Sequence, residues 1–412
     1  MSDSRSFSRR EFLARGAAAG VGLSIAPLAA VAATDVPQVR QRIKLGRTGL
    51  EVSDIGFGAN SLEDTSLVHY AIERGINYFD TAEGYRFGGS EEVLGQALEG
   101  RRDGVIVATK AKLEARDSRA EMMESLETSL RRLRTDRIDV FFNHAVNSVG
   151  RIANPEWPEF TSRAKEQGKI RFCGMSGHGG KLADCVEHAL DHGLVDVMLL
   201  AHNFGQDPAF YQRFLSNFDY IAVQPRLPAL MQRARKQGVG VVAMKTLRGA
   251  RLNDLRAYER PDGTYAQAAL RWVLASGHAH SLIVTMRSRA QVDEYLGASG
   301  PAEVRAEDLA LLSRYEACNG DSQCRYGCGA CSCPEGVQVD EVLRTRMYDR
   351  DYGNRELARA DYAALGAAAS ACASCSHQAC LGTCPAGLEI STLTRDAHER
   401  LSRDPGGGSV RG

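Results

Sequence analysis

From about residue 42 to residue 300, short apolar runs alternate with longer stretches in which apolar side chains recur every three or four positions. Eight of the short runs have strand character: 52–58, 76–81, 105–110, 138–144, 170–176, 195–201, 239–245 and 281–286. Stretches between them, such as 90–98, 119–133, 182–192 and 265–274, have the period of helices with one apolar face. Gly75, Gly168 and Gly193 stand where helices should close on a left-handed residue. Eight strand-helix units in about 250 residues predict an α/β protein built on a closed (β/α)8 barrel of the triosephosphate isomerase type. No strand leads into a Gly-x-Gly-x-x-Gly turn, so the open, doubly wound alternative lacks its usual signature. Upstream, 43–46 and 50–53 flank Arg47-Thr48-Gly49, a pattern that predicts a hairpin closing the barrel's floor.

Composition narrows the function classes. The 412 residues carry 51 basic and 51 acidic side chains, a formal net charge of zero, and 43% of them are hydrophobic. Such a balance offers no electrostatic surplus toward a phosphate backbone or an anionic leaflet, so nucleic-acid binding is not expected. The length suits one large barrel with a small appendage. Cysteine is unevenly spread, because nine of the eleven follow residue 317. The last quarter therefore has its own chemistry.

In a parallel barrel the reactive groups sit where strands give way to loops. The second run ends Phe79-Asp80-Thr81-Ala82-Glu83-Gly84-Tyr85, the third Ala108-Thr109-Lys110 and the fourth Phe142-Asn143-His144. Asp80, Tyr85, Lys110 and His144 are thus expected on one rim. The set suits carbonyl reduction: an ammonium group beside a phenol makes the phenol a usable proton donor. Asp80 would hold Lys110 charged and oriented, and a neutral His144 would hydrogen-bond the substrate oxygen.

Together with their flanks, these residues resemble the aldo-keto reductases over 42–297. The matching pieces are the run 45–53, Phe79-Asp80-Thr81-Ala82 with Tyr85, Gly89-Ser90-Glu91 with Leu94-Gly95, Lys110, and Asp139 with His144. The resemblance implies hydride transfer between NADP(H) or NAD(H) and a small carbonyl or alcohol substrate, with Asp80, Tyr85, Lys110 and His144 as the catalytic tetrad. On the cofactor side it implies Ser176 at the carboxamide and Arg287 and Arg289 near the nucleotide phosphate. This sequence departs from the family pattern in four places. No Asn follows Ser176, Leu199 stands where a glutamine is usual, His202-Asn203 replaces a common Tyr-Asn, and the two arginines are out of register with the usual clamp. A barrel that has lost its chemistry and serves as an electron-transfer or structural subunit is the competing reading.

The cysteines form two runs, Cys324-x3-Cys328-x2-Cys331-x-Cys333-Pro334 and Cys372-x2-Cys375-x4-Cys380-x3-Cys384-Pro385. Closely spaced thiolates ending in Cys-Pro suit four-iron clusters in which the last cysteine ligates the opposite cluster. That crossed pattern groups Cys324, Cys328, Cys331 and Cys384 on one 4Fe-4S cluster, and Cys372, Cys375, Cys380 and Cys333 on the other. After each Cys-Pro comes a similar stretch, 335–339 and 386–390, so the segment is an internal pseudo-repeat. It resembles a two-cluster ferredoxin-like domain of the kind found behind the barrel in one branch of aldo-keto reductases. Two all-thiolate zinc sites or disulfides compete with this reading. The first run has the less regular spacing, which leaves open replacement of Cys324 by Cys318 or the absence of that cluster. Cys173 and Cys185 lie in barrel elements and read as buried structural thiols.

Residues 8–13, Ser-Arg-Arg-Glu-Phe-Leu, precede a run rich in Ala and Gly and resemble a twin-arginine export signal. That route carries folded proteins, so a periplasmic location, dependence on the twin-arginine machinery and a cofactor inserted before transport are expected together. The run is too short and too poor in Leu and Ile for a stable membrane span. The expected organisation is signal peptide 1–33, barrel 34–300, helical linker 301–317, iron-sulfur domain 318–404 and disordered tail 405–412. An electron relay to an unidentified redox partner follows from the clusters.

Overall fold

The computed structural model describes residues 36–206, 224–247, 259–260, 263–301, 303–319, 324, 331, 333–350, 355–384 and 387–402. The expected signal peptide, the expected tail and Cys328 lie outside these residues. Strands β1 (Arg42–Lys44) and β2 (Glu51–Ser53) pair antiparallel, Ile43 opposite Val52. The barrel follows with β3 (Ile55–Gly58), β4 (Tyr78–Asp80), β5 (Ile106–Ala111), β6 (Ile138–Asn143), β7 (Ile170–Gly177), β8 (Val197–Ala201), β9 (Gly240–Met244) and β10 (Ser281–Thr285). These eight strands run parallel in chain order, and β10 closes the ring by pairing with both β9 and β3.

All eight expected strands are present, but the run 52–58 divides at Asp54. The Asp54 carboxylate accepts from Ser299 Oγ at 2.8 Å, the Gly300 amide at 2.7 Å and the Ile55 amide at 3.0 Å. Held this way, the chain turns from the floor hairpin into the parallel sheet. The strands expected to reach His144 and Lys245 stop at Asn143 and Met244. Just beyond, Ala145 and Lys245 take φ of 52° and 59° and turn the chain out of extended geometry.

Two apolar layers hold the barrel. Inside it, Tyr78, Ile106, Ala108, Val140, Phe142, Leu199 and Val242 pack with Leu45, Leu50 and Val52 of the floor hairpin. Gly174 of β7 makes room for this layer, since a Cβ there would lie 2.5 Å from the Phe142 ring. The outer layer lies between strands and helices and includes Phe57, Phe79, Leu94, Leu126, Phe141, Phe160, Val186 and Leu270. Helices Arg119–Arg132 and Tyr265–Ala275 start with reciprocal capping boxes, Ser118 with Glu121 and Thr264 with Gln267.

The expected linker helix runs Ala306–Asn319, so its last turn includes Cys318. Beyond it, helices Val339–Arg350, Arg355–Ala364 and Ile390–Leu401 and the 3-10 segment Ala367–Ala373 form a second core. Val342, Leu343, Met347, Tyr362, Ile390 and Leu401 fill that core, together with Ala201, the last residue of β8. The module is therefore packed against the end of a barrel strand, on the side where the reactive groups are expected. Among the described residues, no helix is long and apolar enough to cross a membrane.

Candidate active site

Strand register builds the rim. In β4, Tyr78 points into the barrel and Phe79 outward, so Asp80 returns to the inside. In β5, Ile106 and Ala108 are inside and Lys110 is next in phase. In β6, Val140 and Phe142 are inside and His144 is next. Tyr85 arrives from the loop after β4, in a 3-10 turn (Tyr85–Gly88) whose Arg86 and Phe87 have φ of 52° and 54°.

The four residues form one contiguous group. Lys110 and Asp80 are each 1% exposed, and Lys110 Nζ donates to Asp80 Oδ1 at 2.6 Å. Nζ also donates to the Thr81 carbonyl, and it lies 3.5 Å from Tyr85 Oη and 4.7 Å from the Tyr85 ring centroid. His144 meets Tyr85 edge to face with ring centroids 5.7 Å apart. Behind Lys110, Thr109 Oγ1 donates to the fully buried Glu91 at 2.6 Å, which ties β5 to the helix Gly89–Ala97.

Burial disfavours charge on Lys110, but Asp80 and then Tyr85 outweigh it and the pKa lies above the ordinary lysine value. For Tyr85 burial is the largest influence; it raises the hydroxyl and exceeds the opposing pull of Lys110. With Nζ 3.5 Å away, shielding of the hydroxyl from water is the stronger effect, and the phenol is held protonated. His144 is held neutral, as expected, by burial and then by Lys110, His178, Lys245 and Arg151.

The residues assigned to the cofactor are scattered over nearby elements. Ser176 is buried on β7, where its Oγ accepts from the Ala145 amide at 2.9 Å. Its hydroxyl thus supports the turn that carries His144. Arg287 Nε donates to Ser61 Oγ at 3.1 Å, bringing the loop after β10 to the loop after β3. Arg289 begins the helix Arg289–Leu296, with its guanidinium carbon 5.1 Å from the Tyr70 ring centroid. Leu199 is an interior apolar residue, and Asn203 donates to the Lys245 carbonyl at 3.2 Å.

Three charged or titratable neighbours were not nominated from the sequence. Lys245 has its ammonium pushed down to about 7 by burial, then by Lys110 and Arg344. His178 is pushed down to about 3 by burial, Lys245 and Arg344. Arg344 belongs to the helix Val339–Arg350, where Glu341 and Asp361 hold it at 2.5 and 3.1 Å. The C-terminal module thus contributes a charge to the electrostatics of the barrel mouth. Lys245 was legible, since it ends an expected strand as Lys110 does.

The module also holds a pocket whose wall includes Cys333, Cys372, Cys375, Cys380, Val339 and Arg395. Its four cysteines are the foursome that the crossed ligand pattern groups together. Cys333, Cys372, Cys375, Cys380 and Cys384 carry free thiols. Burial, and then Cys372, Cys333 and Cys375, raise the Cys380 thiol against an opposing backbone hydrogen bond. Cys324, Cys331 and Cys384 pack against the module's apolar core outside this wall. Among the described residues, no group of three or more His, Cys, Asp or Glu side chains converges as a ligand set for one metal ion. Cys173 and Cys185 are buried barrel thiols, each pushed up to about 11 by burial.

A closed eight-stranded parallel barrel with an Asp, Lys, Tyr and His gathered at its strand ends defines a class of barrel oxidoreductases. Residues 54–262 match the aldo/keto reductase family, and the chain belongs to it. Among its relatives is L-galactose dehydrogenase of Arabidopsis thaliana, 31% identical over 295 residues, which cover 66% of this chain and 92% of the plant protein. Another is the uncharacterized oxidoreductase YqkF of Bacillus subtilis, 27% identical over 299 residues, with 66% and 95% covered. The holo form of aldo-keto reductase AKR11C1 from Bacillus halodurans shares the fold with a TM-score of 0.53 at 24% identity, covering 66% of this chain and 95% of that one. An aldo/keto reductase from Klebsiella pneumoniae, solved in complex with NADP and acetate, aligns with a TM-score of 0.52 at 24% identity, with 68% and 96% covered.

Proposed function

We propose that this aldo/keto reductase interconverts a small carbonyl compound and its alcohol using a nicotinamide cofactor, and that its C-terminal module carries iron-sulfur clusters that relay electrons to a redox partner. The observation that carries the first part is the single hydrogen-bonded group of Asp80, Lys110 and Tyr85 with His144 against it. NADP(H) is the preferred cofactor, in line with the complex solved for the Klebsiella relative. When bound, the reduced nicotinamide supplies a hydride to the carbonyl carbon. Tyr85 then gives its proton to the developing alkoxide, Lys110 stabilises the phenolate that remains, and Asp80 keeps Lys110 charged and aimed. A neutral His144 can donate a hydrogen bond to the same oxygen without competing for the proton. Arg287 and Arg289, on the loop and helix after β10, are candidates for the nucleotide phosphate.

The four-cysteine pocket supports the cluster reading. The four cysteines that the crossed spacing groups on one cluster, Cys333, Cys372, Cys375 and Cys380, line the same pocket, and an all-thiolate set of four is the donor set a four-iron cluster takes. Free thiols at five of the positions argue against disulfides. Export in the folded state, read from residues 8–13, fits a protein that must acquire clusters and nucleotide before reaching the periplasm.

One set of measurements on purified full-length protein tests the proposal: absorption, iron and zinc content, and bound nucleotide. Broad absorption near about 400 nm with about four or eight irons per chain supports the clusters, whereas zinc alone removes them. Failure of NADP(H) and NAD(H) to bind would favour a barrel retained as an electron-transfer or structural subunit.

A further inference from the structure

We propose that Arg395 sets the reduction potential of the cluster held by Cys333, Cys372, Cys375 and Cys380, an inference that rests on the cluster reading above. Arg395 lies on the helix Ile390–Leu401. Its Nε donates to the Cys372 carbonyl at 3.1 Å and its Nη2 to the Cys375 carbonyl at 3.2 Å. These are the backbone oxygens at both ends of the Cys-x-x-Cys segment, and Arg395 is part of the pocket wall. A guanidinium fork spans two carbonyls in a way that a single ammonium cannot. The fork therefore ties a positive charge to the backbone of the Cys-x-x-Cys segment and leaves the sulfurs free to bind iron.

A cluster held by four thiolates is anionic, and reduction adds another negative charge. A fixed cation on its wall stabilises the reduced form more than the oxidised form and raises the potential. Glu335 is the acidic residue of the same wall; it lies 3.5 Å from His377 Nε2 and acts in the opposite direction. Asp396, the neighbour of Arg395 on the helix, is engaged by Arg346 at 2.6 Å.

The test is a mediated redox titration of the full-length protein, read by electron paramagnetic resonance of the reduced cluster, with iron content measured in parallel. Arg395→Gln should lower the reduced-to-oxidised ratio at fixed potential about three- to tenfold, a downward shift of about 30 to 60 mV for a one-electron couple. Arg395→Lys, which keeps the charge and loses the fork, should stay within about twofold of wild type. Glu335→Gln should raise the ratio, which keeps the proposal open to refutation if Arg395→Gln fails to load iron. An unchanged ratio in Arg395→Gln overturns the proposal, as does a fall in Arg395→Lys as large as in Arg395→Gln, because Arg395 would then only staple the loop. Wild-type protein without iron overturns the cluster reading and this inference together.

Discussion

The barrel and the C-terminal module assemble their chemistry by different means. In the barrel, inward and outward positions alternate, and Asp80, Lys110 and His144 are the next inward positions after Tyr78, Ala108 and Phe142. Hydrogen bonding between strands fixes that register and so places Asp80 and Lys110, with His144 one residue beyond the end of β6. In the module, Cys333 shares a pocket with Cys372, Cys375 and Cys380 only because helices on a small apolar core bring two distant segments together. A register-built site should therefore tolerate loss of a reacting group but be destabilised by loss of a buried charge, while a loop-built site should depend on what it binds.

The largest effect should come from Lys110→Met. The substitution leaves Asp80 buried without its 2.6 Å partner, and breaking such a pair costs about 3 to 5 kcal/mol. Denaturant unfolding should show that loss together with collapse of carbonyl reduction. Stability within about 1 kcal/mol of wild type would mean that the sheet, not the ion pair, holds the rim.

Cys375→Ala sharpens the other side of the comparison. Iron content should fall, and reoxidation of bound nucleotide by an external acceptor should slow. A single turnover of aldehyde reduction should persist, because the tetrad takes no residue from the module. Loss of that single turnover would show that the barrel depends on the module for more than electrons.

A smaller effect concerns pH. Burial pushes His178 down to about 3 and His280 down to about 4, each from an ordinary value of 6.5. Below pH 6.5 the unfolded chain binds protons that the folded chain refuses, so stability is lost as pH falls from 6.5 toward those folded values. The melting temperature should drop over that window. His280→Asn should lessen the drop, since an amide oxygen can still accept from the Val241 amide that His280 Nδ1 now receives at 3.0 Å. Equal drops in the two proteins would remove His280 from the effect.

The same contrast explains what could be read from the sequence. Short apolar runs spaced between helical stretches located eight strands, the floor hairpin and the strand-end residues Asp80, Lys110 and His144, because their number and spacing fix the fold and their ends mark the rim. The division at Asp54 was hidden, since it depends on Ser299 and Gly300, about 245 residues later. That the Ser176 hydroxyl also holds the backbone of the neighbouring turn was hidden for a similar reason. The contribution of Arg344 to the barrel mouth arises from how the module packs, which no local pattern encodes. The cysteine spacing named a chemistry and, through the crossed pattern, grouped Cys333 with the three later cysteines whose pocket it lines.

In the proposed reaction Tyr85, carried by the turn after β4, delivers the proton beside strand-end residues Asp80 and Lys110. The most direct test of this central claim is Tyr85→Phe, assayed by stopped-flow single turnover of an aromatic aldehyde with bound NADPH. The ring and its edge-to-face contact with His144 are retained, so melting should shift little while the rate falls about 100- to 10,000-fold. A rate equal to that of the wild-type protein would contradict the assignment of the barrel mouth as a working reductase site.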